Sequence, residues 1–373
     1  AADRLNDACD RWRGLYLSAW ATRSKQDRVA ASPNSAASEK QQATRLRAEA
    51  EAQLNLLLNA NEQSYSDFYS YRYFAAEGFL PGYNFPRLPL SAYIEGRRGR
   101  GRDQEGEYLS RPRFLAISEF GPRSVIYHEG SRHVINKVIL PSGDSDLLTT
   151  RAKVCAACGY LHPLSDEVDP ELCDNCGAPL PGPLTALLRM QNVSTRRRDR
   201  ISSDEEERVR MGYRLQTSVR YAERDGRPDF AVATVANGDG RLLLTMTYGS
   251  AATIWRINMG WRRRKPTDRP GFALDLERGY WAKRQDDSDD EAEQDPMSGK
   301  IRTVVPYVDD TRNALVIDPI GLPGNEVERT RVMASLQAAL KTAIQVTFQL
   351  EDSELAVEAL PSNKDRRVIM IYE

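Results

Sequence analysis

The chain has 373 residues, 40% hydrophobic and 28% charged, with 52 Lys and Arg against 53 Asp and Glu for a formal net charge of −1. That length supports roughly two or three packed units. No apolar run approaches a membrane span, and the start AADRLNDACD has neither the basic nor the apolar region of a signal peptide, so a cytoplasmic chain with no membrane partner is expected.

Residues 1–78 are rich in Ala, Leu, Arg, Glu and Gln and read as a helical region. A break at Ala31-Ser32-Pro33-Asn34-Ser35 separates helices expected over Arg4–Val29 and Ala37–Ala60. A third helix is expected from Ser64 or Ser66, as cap, to Glu77. It carries Tyr65, Phe68, Tyr69, Tyr71, Tyr73 and Phe74, which read as packing, with base stacking as the alternative. Cys9 reads as a small core residue. Ala1 already lies inside a helical pattern and the chain ends on VIMIYE, so a fragment of something longer is expected.

Residues 79–150 read as a strand-rich connector region. The Pro- and Gly-rich stretch FLPGYNFPRLPL excludes helix, and LPLSAYI, RFLAISEF, SVIYHEG and HVINKVIL then read as strands, with turns at Gly121-Pro122 and Glu129-Gly130. His128 and His133 flank the second turn. They read as satisfied strand histidines, with a metal or acid/base pair as the alternative.

Residues 151–183 hold the most specific signal, Cys155-x2-Cys158-x14-Cys173-x2-Cys176, in which each pair runs straight into glycine. A tight Cys-x2-Cys turn closed by glycine aims two sulfurs at one point, and two such knuckles supply the four thiolates that tetrahedral Zn²⁺ takes. Structural zinc is the expectation; a redox dithiol, disulfides or unliganded thiols are the alternatives. A closed set of four sulfurs leaves no open position for catalysis at the metal. His162 lies between the knuckles and could replace a cysteine, but with four sulfurs present it reads as an ordinary loop histidine.

Residues 184–373 read as a β-rich domain. LTALLRMQNV, YRLQTSVRYA, DFAVATVA, RLLLTMTYG and ATIWRIN give five strand-like runs, and IRTVVPYV and NALVID two more. Ser202 or Ser203 before three acidic residues reads as the cap of a short helix. The acidic run Asp286 to Asp295 places a disordered loop near 285–297. After Asn325, Val332, Leu336, Leu340, Ile344 and Phe348 recur every four residues beside Met333, marking an amphipathic helix that packs on a core. ELAVEAL and RRVIMIY close the chain as strands.

The fold class expected is therefore α+β: an N-terminal helical hairpin, a mostly antiparallel β platform with an inserted four-cysteine zinc module, and a C-terminal amphipathic helix. No Gly-x4-Gly-Lys-Ser/Thr stretch, zinc-protease motif or nucleophile elbow occurs, so no catalytic residue is assigned and the chain alone reads as non-catalytic. What remains is segregated basic charge. Arg97, Arg98, Arg100 and Arg102 lie among glycines, Arg196, Arg197 and Arg198 form a second cluster, and Arg262, Arg263, Arg264 and Lys265 a third, beside Trp255 and Trp261. Guanidinium groups bind phosphates through paired hydrogen bonds, so these eleven residues are the candidate nucleic-acid contacts, largely independent of base sequence. Whether DNA or RNA is bound stays open at this point, as does a scaffold whose arginines serve acidic partner surfaces.

The order FYSYRYFAAEGFLPGYNFPRLPL, FLAISEFGPRSVIYHEGSRHVINKV, the paired knuckles, RTRVMASLQAALKTAIQVTFQLEDSEL and VIMIYE resembles the C-terminal region of MrfA-like superfamily 2 helicases. That region carries a MrfA-type zinc-binding domain, with related versions in helicase-associated proteins of the DISARM antiphage system. The resemblance covers most of the chain after about Tyr65 and implies zinc ligation by Cys155, Cys158, Cys173 and Cys176. It further implies DNA as a partner, a role in DNA repair or phage defence, and defence-system partner proteins. ATP and Mg²⁺ enter only through helicase motor domains, in the same or a partner chain, whose motifs this sequence lacks. The arginine-rich loops and the acidic insertion depart from the family pattern.

Overall fold

The computed structural model describes residues 2–58, 72–74, 89–95, 98–99, 102–103, 106–140, 149–198, 212–224, 227–262, 269–282 and 295–373. Most of the expected third helix and its aromatic cluster, the Pro- and Gly-rich stretch, the helix capped at Ser202 or Ser203 and the acidic run through Gln294 lie outside them. The fold is mixed α/β with mostly strands. It divides into two compact units, each drawn from three stretches: Ala1–Thr149, Leu188–Arg214 and Asn258–Pro306 in the first, Thr150–Leu187, Leu215–Ile257 and Tyr307–Glu373 in the second.

In the first unit, helices Ala2–Ala31 and Ala37–Leu58 pair as a hairpin. Pro33 stops the first helix, and the Glu39 carboxylate accepts from Ala36 N at 3.1 Å to cap the second. Small residues let the two approach: Ala19, Ala43 and Ala50 are buried, with Leu54 and Leu57 beyond them. Arg23 Nε to Glu51 (3.1 Å) and Arg47 Nη1 to Asp27 (3.0 Å) tie the exposed sides.

A five-stranded sheet follows, in the order Glu107–Arg111, Leu90–Ile94, Val193–Arg198, Ser131–Val138, Val125–His128. Leu90–Ile94 and Val193–Arg198 run parallel, with Ala92 opposite Val193; the other neighbours are antiparallel. Glu129 and Gly130, at φ 44° and 68°, make the tight turn between the last two strands. RFLAISEF, expected as a strand, is instead the helix Arg113–Glu119. Phe114, Ile117 and Phe120 recur at three-residue spacing and are buried with Ala116, a helical period that a short apolar run conceals.

Two buried charge clusters hold this unit. Lys137 donates to Glu49 Oε1 at 2.7 Å, linking the sheet to the second helix, and lies 5.8 Å from the Tyr280 ring centroid. Burial pulls the Lys137 pKa down, but the adjacent Glu49 carboxylate and Tyr280 outweigh it and the net shift is upward. Asp295 receives Asn136 Nδ2 at 3.0 Å, Arg196 Nη1 at 3.2 Å and Arg123 Nη1 at 3.4 Å, with its side chain only 7% exposed. The expected disordered acidic loop is therefore corrected at its end: Asp295 is a fixed counter-ion for two guanidiniums.

Gly279, at φ 78°, closes a turn in which a Cβ would sit 2.1 Å from Val138 O. The fully buried Asp275 organises that turn. It accepts from Glu277 N (3.0 Å), Arg278 N (3.1 Å) and Ser298 Oγ (2.7 Å), and from Ser298 N. Burial opposes its ionisation, yet the bonds from Ser298, Arg278 and Glu277 lower its pKa below the ordinary value. A depressed carboxylate contributes stability that is complete above the unfolded pKa of about 3.9 and is lost as pH falls through the folded value. Asp275→Ala should therefore cost about 2–4 kcal/mol at pH 7 in denaturant titrations and flatten the loss of stability on acidification.

The second unit is built on long strands. RLLLTMTYG and ATIWRIN, expected as separate strands, are one strand, Leu242–Trp261, and IRTVVPYV and NALVID are one strand, Ile301–Pro319. Within this unit they pair antiparallel from Leu244 opposite Pro319 to Ile257 opposite Tyr307, and a shift at Gly249/Ala252 marks where sequence suggested a gap. Arg366–Tyr372 adds against Ala314 to Ile317, and Ala356–Pro361 pairs with Arg366–Tyr372. Helix Glu326–Phe348 is capped by Asn325, whose side chain accepts from Val327 N at 2.9 Å and Glu328 N at 3.3 Å.

That helix packs through Met333, which is buried with Ile317, Leu355, Ile369 and Ile371, while Leu336, Leu340 and Ile344 flank them. Of the expected stripe, Val332 (41% exposed) and Phe348 (69% exposed) turn away. A strict four-residue repeat advances about 40° per step, so its ends stand about 80° from Leu340, whereas Met333 returns to about 20°. The hairpin formed by Ala231–Ala236 and the start of Leu242–Trp261 turns at Asn237 to Gly240, and every residue from Ala231 to Leu243 is exposed, Val232, Val235, Leu242 and Leu243 included.

Candidate metal centre

The two knuckles are built alike. Strands Thr149–Val154 and Leu161–Leu164 pair antiparallel, with Val154 opposite Leu161, and the first knuckle is the turn between them. Cys155 N donates to Tyr160 O (2.9 Å) and Gly159 N to Cys155 O (2.9 Å). The second knuckle repeats this with Cys173 N to Ala178 O (2.8 Å) and Gly177 N to Cys173 O (2.8 Å). Gly159 and Gly177 have φ of 76° and 71°, the left-handed conformation that sends the chain back after the second cysteine. At Gly159 a Cβ would also press on Leu360 at 3.1 Å.

The four sulfurs of Cys155, Cys158, Cys173 and Cys176 lie within 4.8 Å of one another. Cys155 to Cys176 is 3.6 Å and Cys158 to Cys173 is 3.7 Å. A tetrahedron with metal–sulfur bonds of about 2.3 Å has edges of about 3.8 Å, so the residues present fit one four-coordinate ion and are far too separated for disulfides. Cys155, Cys158, Cys173 and Cys176 would hold it. A metal ion there would cross-link two loops, with all four positions taken by sulfur.

Around the sulfurs stand hydrogen-bond donors. Ala157 N reaches Cys155 Sγ at 3.4 Å and Asn175 Nδ2 reaches Cys158 Sγ at 3.5 Å. His162 is not a loop residue: it lies on strand Leu161–Leu164, 1% exposed, with Nε2 3.4 Å from Cys173 Sγ. Its Nδ1 is 3.2 Å from an Asp174 carboxylate oxygen, and its ring meets Tyr160 edge-on at 5.2 Å. The hydrogen bond from the Cys158 thiol, followed by an opposing cost of burial and the bond from His162, brings the Cys173 pKa to about 3. Cys158 is pushed up, first by that shared proton and then by burial. Burial also raises Cys176, the exposed member.

The basic residues are placed less compactly. Arg97, Arg100, Arg263, Arg264 and Lys265 lie outside the described residues. The backbone of Arg98 and Arg102 forms a small antiparallel pair, with Arg98 opposite Asp103 and Gly99 opposite Arg102. Arg196, Arg197 and Arg198 are on strand Val193–Arg198 rather than in a loop; Arg196 pairs with the buried Asp295, while Arg197 is exposed. Arg262 is an exposed turn residue whose N donates to Gly212 O at 2.7 Å. The described basic residues Arg98, Arg102, Arg196, Arg197, Arg198 and Arg262 belong to the first compact unit and the four cysteines to the second.

The two strand histidines are not brought to one point. His133 is buried opposite Ile126, and His128 Nε2 contacts Glu107 Oε1 at the surface, with Glu129 beside them. Sequence reasoning missed the roles of His162, Asn175 and Asp295. Only His162 left a signal, its position between two cysteine pairs.

No protein-family model matches the chain, and no curated protein matches it. Among solved structures it is similar to the DUF1998 helicase MrfA in a crystal structure bound to DNA, with TM-score 0.35 and 10% identity. That alignment covers 84% of this chain and 28% of the helicase chain, so the present chain spans under a third of that protein's length. A likeness of this size carries no residue correspondence.

Proposed function

We propose that the chain is a zinc-stabilised accessory C-terminal region of an ATP-dependent DNA helicase or translocase, serving DNA repair or phage defence and binding nucleic acid without sequence specificity. The observation that carries this reading is the closed four-sulfur centre, placed within an order of segments that resembles the C-terminal region of MrfA-like helicases. ATP and Mg²⁺ belong to motor domains in the same or a partner chain, and DISARM-type partners are the defence version of the same assignment. Arg97, Arg98, Arg100, Arg102, Arg197, Arg198, Arg262, Arg263, Arg264 and Lys265 are the contacts, with Arg196 shared with Asp295; that the described ones, Arg98, Arg102, Arg196, Arg197, Arg198 and Arg262, fall in one unit supports a common basic surface.

Neutralising phosphates releases counterions, so affinity for a DNA duplex should fall with a slope of about −0.9 per contacted phosphate in a plot of log K against log salt. Replacing Arg97, Arg98, Arg100 and Arg102 by Ala should weaken binding for all sequences alike and reduce that slope by about 2–4. A salt-independent affinity sinks the nucleic-acid reading.

One observation favours a second reading, a protein-interaction scaffold: the exposed hairpin carrying Val232, Val235, Leu242 and Leu243, since apolar surface of this kind marks association sites. Under that reading a stable partner complex survives nuclease treatment.

A further inference from the structure

We propose that His162 is a dedicated positioning residue of the metal centre, donating its Nε2–H to the Cys173 sulfur and thereby fixing both the orientation and the electron donation of that ligand. The inference deepens the metal assignment made above and rests on it. Three observations converge. His162 is 1% exposed, on a strand paired in register with the one that leads into the first knuckle, so its ring has little freedom. Its Nε2 is 3.4 Å from Cys173 Sγ, within hydrogen-bond range for sulfur. Its other nitrogen, Nδ1, is 3.2 Å from an Asp174 carboxylate oxygen but makes no hydrogen bond, so that contact does not hold the ring. Tyr160 closes the remaining side edge-on at 5.2 Å.

A thiolate can only accept, so the hydrogen between His162 and Cys173 belongs to Nε2. The contact joins the two knuckles independently of any ion: His162 follows the first by four residues from Cys158, and Cys173 opens the second. Four thiolates around a divalent ion carry an excess of two negative charges in a partly buried place. Hydrogen bonds to sulfur disperse that charge. Cys155 receives a backbone N–H and Cys158 the amide of Asn175, whereas Cys173 receives a large buried side chain in addition to the backbone N–H groups of Asn175 and Cys176. A purely space-filling side chain there would not need a nitrogen pointing at the sulfur.

The test compares wild type with His162→Leu, which removes the donor at similar volume, and His162→Gln, which returns an N–H near the Nε2 position. Loaded with Co²⁺, His162→Leu should shift the sulfur-to-metal charge-transfer band to lower energy and lose metal affinity roughly 10- to 100-fold in chelator competition, with His162→Gln recovering most of both. Wild type itself supplies a reading that needs no variant: with ¹¹³Cd bound, a scalar coupling should connect the metal to the His162 Hε2 proton through the N–H···S bond. Absence of that coupling, or a His162→Leu protein with wild-type spectrum and affinity, overturns the role of His162 while leaving the four-cysteine centre intact. A wild-type chain that takes up no thiophilic metal overturns the centre, and this inference with it.

Discussion

Stripping the metal with a strong chelator at neutral pH should unfold the segment Thr150–Leu187 while the helical hairpin and five-stranded sheet of the first unit keep their amide protection. The segment has little core of its own: Ala152 to Cys155, Tyr160 to His162 and Leu187 are buried on or beside its strands, but from Asp166 to Pro183 only Cys173 is. Structural zinc sites in small domains contribute apparent free energies of about 10–16 kcal/mol at pH 7, more than such a segment can supply through burial. Cys173→Ser should reproduce the effect without chelator. It removes one ligand, the acceptor of the His162 bond and the partner of Cys158 together. Hydrogen exchange read by mass spectrometry checks both, and unchanged protection across Thr150–Leu187 after metal removal would refute the structural role.

The second large effect concerns Lys137 and Glu49. Their side chains are only 16% and 9% exposed and meet at 2.7 Å, so Lys137→Met leaves a carboxylate buried without its counter-charge and should cost about 3–5 kcal/mol. Adding Glu49→Leu should restore most of the loss, because the cost comes from the orphaned charge rather than from the missing attraction. The pH dependence has a definite sign. Since the folded pKa of Lys137 is raised, its contribution is complete below the unfolded value of about 10.4 and is lost as pH rises through the folded value. Equal stability of the single and double variants would contradict this account of the helix-to-sheet contact.

The knuckles were legible from sequence because their information is local: two Cys-x2-Cys-Gly turns bend the same way wherever they occur, and only the distance between them had to permit closure. The helical hairpin was legible for a similar reason, with Pro33 between two runs of strong helix formers. Elsewhere the deciding information was remote. Leu242–Trp261 and Ile301–Pro319 read as broken because a bulge at Gly249/Ala252 and polar residues at Asp309 to Asn313 resemble turns, and pairing with each other and with neighbouring strands keeps them extended. RFLAISEF could not be assigned by pattern, since eight mostly apolar residues suit a buried strand or a short helix equally. Asp295 looked like the tail of a solvated acidic run because its partners Arg123, Asn136 and Arg196 come from three other segments.

The same contrast applies within the site. Four clustered cysteines follow from spacing, but the side-chain donors beside them, His162 on a strand and Asn175 within the second knuckle, depend on how the strands and turns face one another. The interleaving of each compact unit from three stretches is the extreme case, as no composition shift marks it.

The most direct test of the central claim is X-ray absorption at the zinc edge on the purified chain, with metal content measured on the same sample. A closed structural centre gives about one ion per chain and a first shell of four sulfurs at about 2.3 Å, with no nitrogen or oxygen neighbour. A shell containing light-atom ligands, or a folded chain with no metal, would contradict it.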